Sequence, residues 1–382
     1  MQKRFDRNLA MPIATPNKSK RLVYLDHSFL SEMCFHDEPS AADLMKRLFL
    51  KLQYLKERGT IGLVVSDIHC SETAAFPGQY SRSMERLWQF QNNLVGGRIT
   101  ANWADVFVAQ HRRMLAEGDL SSFPIRDIKF REPDQGQFGM RVVMTNSWLL
   151  RMHRKEALER ENREKSFREV IDRQAKNIPY CNGLVDCLKY VRELWQKDIR
   201  LGIAAWRERR DFVRSFERFG GSPNTEQLLS LKVPEILDVP YLQTINAITF
   251  GLDEEAVLKR WSNILEGDLI GPCPSLRIRT AFEAELLCDW FEGKRQNPKN
   301  FSQRFGWSRQ NDIDHVSAFV PYVDALTTDR DMHNLCQRQV VDDEIKRFPC
   351  KIFSKRNYDK LEEWLDEVIE EGTIMRYGQG GV

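Results

Sequence analysis

Two short apolar runs constrain this chain more than anything else in it. RLVYLD (Arg21–Asp26) and IGLVVSD (Ile61–Asp67) are continuous β-leaning runs, each closed by an aspartate, and each followed by a helical pattern. Near-continuous apolar strands feeding helices are the mark of parallel β-α units, with helices covering both faces of the sheet. Such units put both aspartates on the carboxyl rim, where open parallel sheets bind ligands. The helix after the first run carries Phe29, Leu30 and Met33. A second helix, about 41–57, has Leu44, Leu48, Leu50, Leu52 and Leu55 in a largely helical pattern and ends at Gly59. The helix after the second run begins near Ile68 and carries Glu72.

The same kind of signal returns near the C-terminus. RTAFEAELLCDWFEG reads as an amphipathic helix and GKRQNPKNFSQRFGWSRQ as a polar loop. DIDHVSAFVPY reads as a helix, DALTTD as a strand ending in Asp329, CKIFS as a short strand and YDKLEEWLDEVIEE as a closing helix. Between the two regions the pattern is helical, with Leu184, Leu188, Val191 and Leu194 in register and MRVVMT (140–145) the one β-branched exception. The expected organisation is an N-terminal arm (1–20) and an α/β domain in two parts (21–130 and 273–382). A mostly helical insertion (131–272) interrupts that domain.

With 382 residues, 42% hydrophobic and 29% charged, the chain can bury a sizeable core. A net charge of +2 neither requires nor excludes nucleic acid, because a local basic face matters more than the total. The eight cysteines contain no CxxC pair, which leaves a zinc ribbon or thioredoxin-like site without support. Nothing in the sequence resembles a signal peptide, and no apolar run approaches the roughly 20 residues that span a bilayer. The expectation is a reduced, cytoplasmic protein away from membranes.

The acids form a set: Asp26 ends the first strand, Glu72 lies within a helix, Asp312 or Asp314 opens a later helix, and Asp329 ends a later strand. Three or four carboxylates around Mg²⁺ or Mn²⁺ suit phosphodiester hydrolysis, since the hard cation takes oxygen ligands and activates water. The other reading makes Asp26 and Asp67 helix N-caps. Asp324, at the start of its strand and on the rim opposite Asp329, reads as structural.

In order and placement, VYLD, VVSDIHCSE, ND and TTDRDM resemble the PIN-domain nuclease family. Ser66–Glu72 looks like that family's second motif, and Thr327–Met332 looks like its last, with Met in place of Phe. The resemblance implies a three-layer fold around a central parallel sheet and a divalent-metal-dependent endonuclease. Asp26, Glu72, Asp312 and Asp329 would be its catalytic and metal-binding carboxylates, with Asp314 as alternate or additional ligand. It further implies Mg²⁺ or Mn²⁺ as cofactor and nucleic acid as partner, RNA before DNA. The long gap between Glu72 and Asp312 departs from the family pattern and requires an insertion. That insertion would recognise substrate or dock a regulatory protein, as in a toxin- or defence-type effector.

Histidines flank the acids. His27 follows Asp26, His69 lies one helical turn before Glu72, and His315 follows Asp314. Together with Asp331 they read as residues that hydrogen-bond the ligands or contact phosphate. Direct ligation by the histidines would instead suit a small-molecule metallophosphohydrolase. Candidate phosphate contacts are Lys294, Arg295, Arg304 and Arg309 in the basic loop, and Arg210 and Arg214 in a stripe that also includes Arg207 and Arg218. The stripe reads equally well as helix packing. A non-catalytic interaction protein on a degenerate scaffold of this kind is the remaining alternative.

Overall fold

A computed structural model describes residues 20–64, 81–95, 106, 110, 178–218, 245, 249, 253–264, 266–294 and 307–378. The chain divides into two compact units: Met1–Trp103, Pro124–Ile178 and Phe301–Val382 in one, Ala104–Phe123 and Pro179–Asn300 in the other.

The first unit is built on a fully parallel four-stranded sheet. Its strands are β1 (Arg21–Tyr24), β2 (Ile61–Val64), β3 (Ala325–Thr327) and β4 (Lys351–Phe353), in the order β2-β1-β3-β4. β1 pairs with β2 from Arg21↔Ile61 to Tyr24↔Val64, and with β3 through Val23↔Ala325 and Tyr24↔Leu326. The order steps outward from β1 to β2, then reverses across β1 to reach β3. The gap between β1 and β3 is therefore the topological switch point, where open parallel sheets leave a crevice at the strands' carboxyl ends.

Alternation along the strands sorts their side chains by face. Val23, Leu63, Ala325 and Phe353 share one face and enter a core with Phe29, Leu30 and Met33 of α1 (His27–Met33). Leu48, Leu52 and Leu55 of α2 (Asp43–Glu57) join them, as do Leu87 and Leu94 of α3 (Ser81–Val95). Leu361, Trp364 and Leu365 of α10 (Tyr358–Gly378) close this layer. Each such side chain stabilises the fold by about 1.5–3 kcal/mol on burial. On the other face, Tyr24 stacks on Phe319 of α7 (Trp307–Phe319), with ring centroids 4.6 Å apart. Helices thus cover both faces, as the continuous apolar strands predict.

Local chemistry sets several boundaries. α2 stops because Gly59 takes the left-handed conformation at φ 71°, letting its N–H reach Lys56 O and the Thr60 N–H reach Leu55 O. At the amino end of the sheet the Leu22 N–H donates to the Asp324 carboxylate at 2.7 Å, with Arg21 3.7 Å away, which is the structural role expected of that acid. Two short helices, α8 (Arg330–Cys336) and α9 (Gln339–Ile345), join β3 to β4; the sequence reading had not anticipated them. α7 begins at Trp307, inside the segment read as a polar loop. Asp312 therefore lies in the helix body rather than opening it.

The second unit is helical where described. α4 (Leu184–Arg218) is one continuous 35-residue helix and unites two stretches that the sequence reading treated apart. It packs along α6 (Pro274–Lys294). Cys273 and Ser275, at the start of α6, share the buried Gln110 side chain as acceptor. α6 was expected to be amphipathic. Its residues Leu276, Ile278, Ala281, Phe282, Ala284, Leu286 and Leu287 are all buried, so apolar side chains occupy most of its circumference. Trp206 of α4 meets Trp261 of α5 (Glu254–Ile264) edge to face at 5.1 Å. Among the described residues no helix is long and apolar enough to cross a membrane. The N-terminal arm and the 140–145 run lie outside the described residues.

Candidate functional site

The carboxyl ends of β1 and β3 carry Asp26 and Asp329. Asp26 N-caps α1: its carboxylate accepts from the Ser28 N–H at 3.1 Å and from the Ser28 hydroxyl at 2.5 Å. Its own N–H donates to the Thr327 hydroxyl at 2.8 Å, across the strand gap. Asp329 N-caps α8 by accepting from the Met332 N–H at 2.7 Å. Asp26 thus has the cap geometry that the second sequence reading gave it, and Asp329, which that reading did not include, caps a helix as well. That geometry also fixes their orientation and leaves carboxylate lone pairs for another partner.

The electrostatics of the rim are one-sided. Burial raises the Asp26 pKa above its ordinary 3.8; the hydrogen bonds from Ser28 and the His27 charge pull it down, and Asp329 raises it. The Tyr358 phenol, buried at the start of α10, is raised by burial and then by the charges of Glu32, Asp26 and Asp329. The Cys336 thiol is raised by burial and then by Asp329. Three separate groups therefore sense the same concentration of negative charge. Around it stand cations: Lys355 binds Glu32 at 2.8 Å, and Arg309 lies 3.8 Å from Asp331.

α7 relates to this rim through its aromatic face. His315 and Phe319 both meet Tyr24, at 5.9 and 4.6 Å. At roughly 100° per residue, Asp312 falls on the face shared by His315 and Phe319, and Asp314 about 200° further round. Asp312 is half-buried and Asp314 buried. Of the two acids left open by the sequence, Asp312 is the one on the sheet-facing side. The Arg309–Asp331 contact brings the start of α7 to the rim beyond β3.

The remaining candidates divide into three groups. Glu72, His69, Arg295, Arg304 and the Lys294 side chain lie outside the described residues. His27 starts α1 and acts on Asp26 through its charge, while His315 is buried against Tyr24. Arg210 and Arg214 do not form an open basic stripe: both guanidiniums bind Glu254 of α5, at 2.7 and 3.3 Å, and Arg214 also lies 3.7 Å from Glu255. The Arg210 side chain is only 8% exposed and lies over the Trp206 ring. Phosphate contact there would require breaking these pairs, so helix packing is the role the structure gives them.

Sequence reasoning missed Ser28, Glu32 and Tyr358, and named Thr327 only as the first residue of the last motif. Ser28 carried a usable signal, an aspartate cap followed two residues later by a hydroxyl. Tyr358 carried none, because only the β4–α10 turn brings it to the rim.

Among the described residues no group of three or more His, Cys, Asp and Glu side chains is arranged to hold a metal ion. The donor chemistry of the rim nonetheless fits a hard cation. Its groups are oxygen donors, and the desolvation and repulsion on Asp26 are what a divalent ion offsets. Mg²⁺ keeps several waters and is commonly held through one or two carboxylates together with substrate phosphates. No protein-family model, curated protein or solved structure matches this chain.

Proposed function

We propose that this chain is a divalent-metal-dependent endonuclease of PIN-like fold that hydrolyses phosphodiester bonds, in RNA before DNA. One observation carries the reading. Two aspartates from opposite ends of the sequence cap the helices that follow the neighbouring strands β1 and β3, at the switch point of a parallel sheet. A carboxylate desolvated as Asp26 is, with a second acid at the same rim, gains stability from a cation. Asp26 and Asp329 would anchor Mg²⁺ or Mn²⁺, with Asp312 from α7 and Glu72 completing the set that the family resemblance implies. The bound cation supplies Lewis acidity toward water and phosphate. Ser28 and the Met332 N–H hold the carboxylates in place. Arg309 and Lys355 bind flanking phosphates, and the apolar sheet beneath limits water at the site. No side-chain nucleophile is required.

A second reading keeps the scaffold and drops the chemistry. It is favoured by the cap hydrogen bonds on both aspartates, which by themselves account for an acid at each position. Metal binding separates the two.

The test is cleavage of labelled single-stranded RNA and DNA with Mn²⁺, Mg²⁺ or EDTA, with the Asp26→Asn/Asp329→Asn protein run in parallel. Asparagine caps helices as well as aspartate does, so the variant should fold. Metal-dependent cleavage that disappears in the variant supports the nuclease, whereas cleavage that persists overturns it. A folded wild type that binds no Mn²⁺ supports the non-catalytic scaffold. Turnover of nucleotides with oligonucleotides untouched supports a small-molecule phosphohydrolase.

A further inference from the structure

In the first unit α2 and α10 run side by side toward the amino edge of the sheet, tied by the pairs Arg47–Glu362 and Lys51–Asp366. Past those pairs the two helices leave a groove of about 400 Å³, lined by Leu50, Lys51, Gln53, Tyr54, Glu57 and Ile369. Its apolar floor is open: Leu50 is 62% exposed and Tyr54 39%. Single exposed apolar side chains are ordinary, but here three meet in one concavity. The nearby cations are engaged elsewhere, Lys56 with Asn93 O at 3.0 Å and Arg58 over the Tyr54 ring. Glu57 on the lining and Glu370 beside Ile369 make no ion pair among the described residues. The groove is apolar at its floor and acidic at its edge.

The chain enters the sheet next to this groove. The Arg21 N–H, at the start of β1, donates to Thr60 O just past α2 at 3.0 Å. The Arg21 guanidinium binds Glu371 of α10 at 2.7 Å, two residues beyond Ile369. Residues 1–19 precede that point and lie outside the described residues. They hold four cations, Lys3, Arg4, Arg7 and Lys18, against the single acid Asp6, whereas α10 holds seven acids against two cations. Phe5 and Leu9 stand four apart, the spacing at which groove-binding segments carry their apolar anchors. From Pro12 to Lys20 the chain reaches up to roughly 30 Å when extended, ample for a groove that begins two residues from Glu371.

We propose that residues 3–11 of the chain's own N-terminal arm occupy the groove between α2 and α10, seating Phe5 and Leu9 against Leu50, Tyr54 and Ile369 and bringing the arm's cations among the acids of α10. Size favours a tethered segment over a second copy or a separate protein. Six residues line the groove, against roughly 20–30 on each side of a stable interface. A tether makes so small a contact sufficient, because the connector holds the arm at a high effective concentration. The groove lies toward the amino edge of the sheet, so the arm docked there leaves the rim of Asp26 and Asp329 open.

Limited trypsin digestion of the full chain tests this, because trypsin cuts after Arg4 inside the proposed contact and after Lys18 in the connector. Leu50→Asp, at an exposed position, is expected to speed cutting at Arg4 about tenfold while Lys18 keeps its wild-type rate, since cutting follows the undocked population. Leu9→Asp, which alters only the arm and leaves the folded unit intact, is expected to do the same. An Arg4 rate that neither variant changes overturns the proposal. A zero-length carbodiimide cross-link from Lys3 to Glu57 or Glu370 is expected in the wild type. In a mixture of isotope-labelled and unlabelled protein it should join residues of one chain. Cross-links found only between chains make a second copy the occupant and overturn the proposal.

Discussion

The main-chain N–H of Asp26 donates to the Thr327 hydroxyl at 2.8 Å, bridging the ends of β1 and β3 where the strand order reverses. Thr327 is fully buried, and two residues after it Asp329 caps α8. This hydrogen bond extends the β1–β3 pairing to the two aspartate-bearing turns.

Thr327→Val keeps the β-branched shape but removes the acceptor, leaving a partly buried N–H without its partner. The expected cost is about 1–3 kcal/mol in urea denaturation. Thr327→Ser, which keeps the hydroxyl, is expected to lose less. Equal stability of the valine variant and wild type would mean that the bridge does not hold the rim together.

Asp26 titrates above its ordinary 3.8 in the folded chain. Between that value and the folded one the native state binds more protons than the unfolded state, so this group's contribution to stability falls as pH rises. Asp26→Asn is therefore expected to be more stable than wild type at neutral pH, with the advantage vanishing below 3.8. On the proposed metal reading Mn²⁺ narrows or reverses the order. At about 100 times its Kd it stabilises wild type by about 2.7 kcal/mol and the asparagine variant by much less. Denaturation curves across pH, with and without Mn²⁺, measure both effects.

Glu362 of α10 receives Arg47 of α2 through two hydrogen bonds, at 2.8 and 2.9 Å, and Lys51 at 2.9 Å. Hydrogen bonding from Arg47 and Lys51 outweighs partial burial and takes its pKa down to about 2 from an ordinary 4.5. A depressed carboxylate contributes stability that is present above 4.5 and is lost as pH falls toward about 2. Glu362→Gln is expected to lower the melting temperature at pH 7 and to flatten the loss of stability across that acid window. An unchanged acid profile would remove the pair from the account of acid unfolding.

Phe319 is fully buried, and its stack on Tyr24 fastens α7 to the sheet. Phe319→Ala is expected to cost about 3–5 kcal/mol, by lost burial and the cavity left behind. A much smaller loss in a chemical melt would show that α7 is held by something other than this contact.

Much of the scaffold was readable locally. The runs at Arg21–Tyr24 and Ile61–Val64 were legible because strands buried on both faces need continuous apolar residues, and α2 was legible because Leu48, Leu52 and Leu55 keep one helical face. The start of α7 was not, since its first residues, Trp307–Asn311, continue a polar and basic run with no apolar periodicity. Arg210 and Arg214 looked like an open stripe because their partners, Glu254 and Glu255, lie on another helix. The expected ligand set was legible as a list of acids, and only its Asp26–Asp329 half can be followed through the described residues.

By itself the sequence determined which segments become parallel strands, which acids end them and where α2 stops. Those features depend on residue type and spacing within a few turns of chain. Only the tertiary structure decided that β1 lies between β2 and β3, that Asp26 and Asp329 share one rim, and that Asp312 rather than Asp314 lies on the face of α7 that meets Tyr24. Backbone hydrogen bonds allow any two strands to pair. The partner is selected by burying both faces of the sheet at once, and that selection acts between residues hundreds of positions apart.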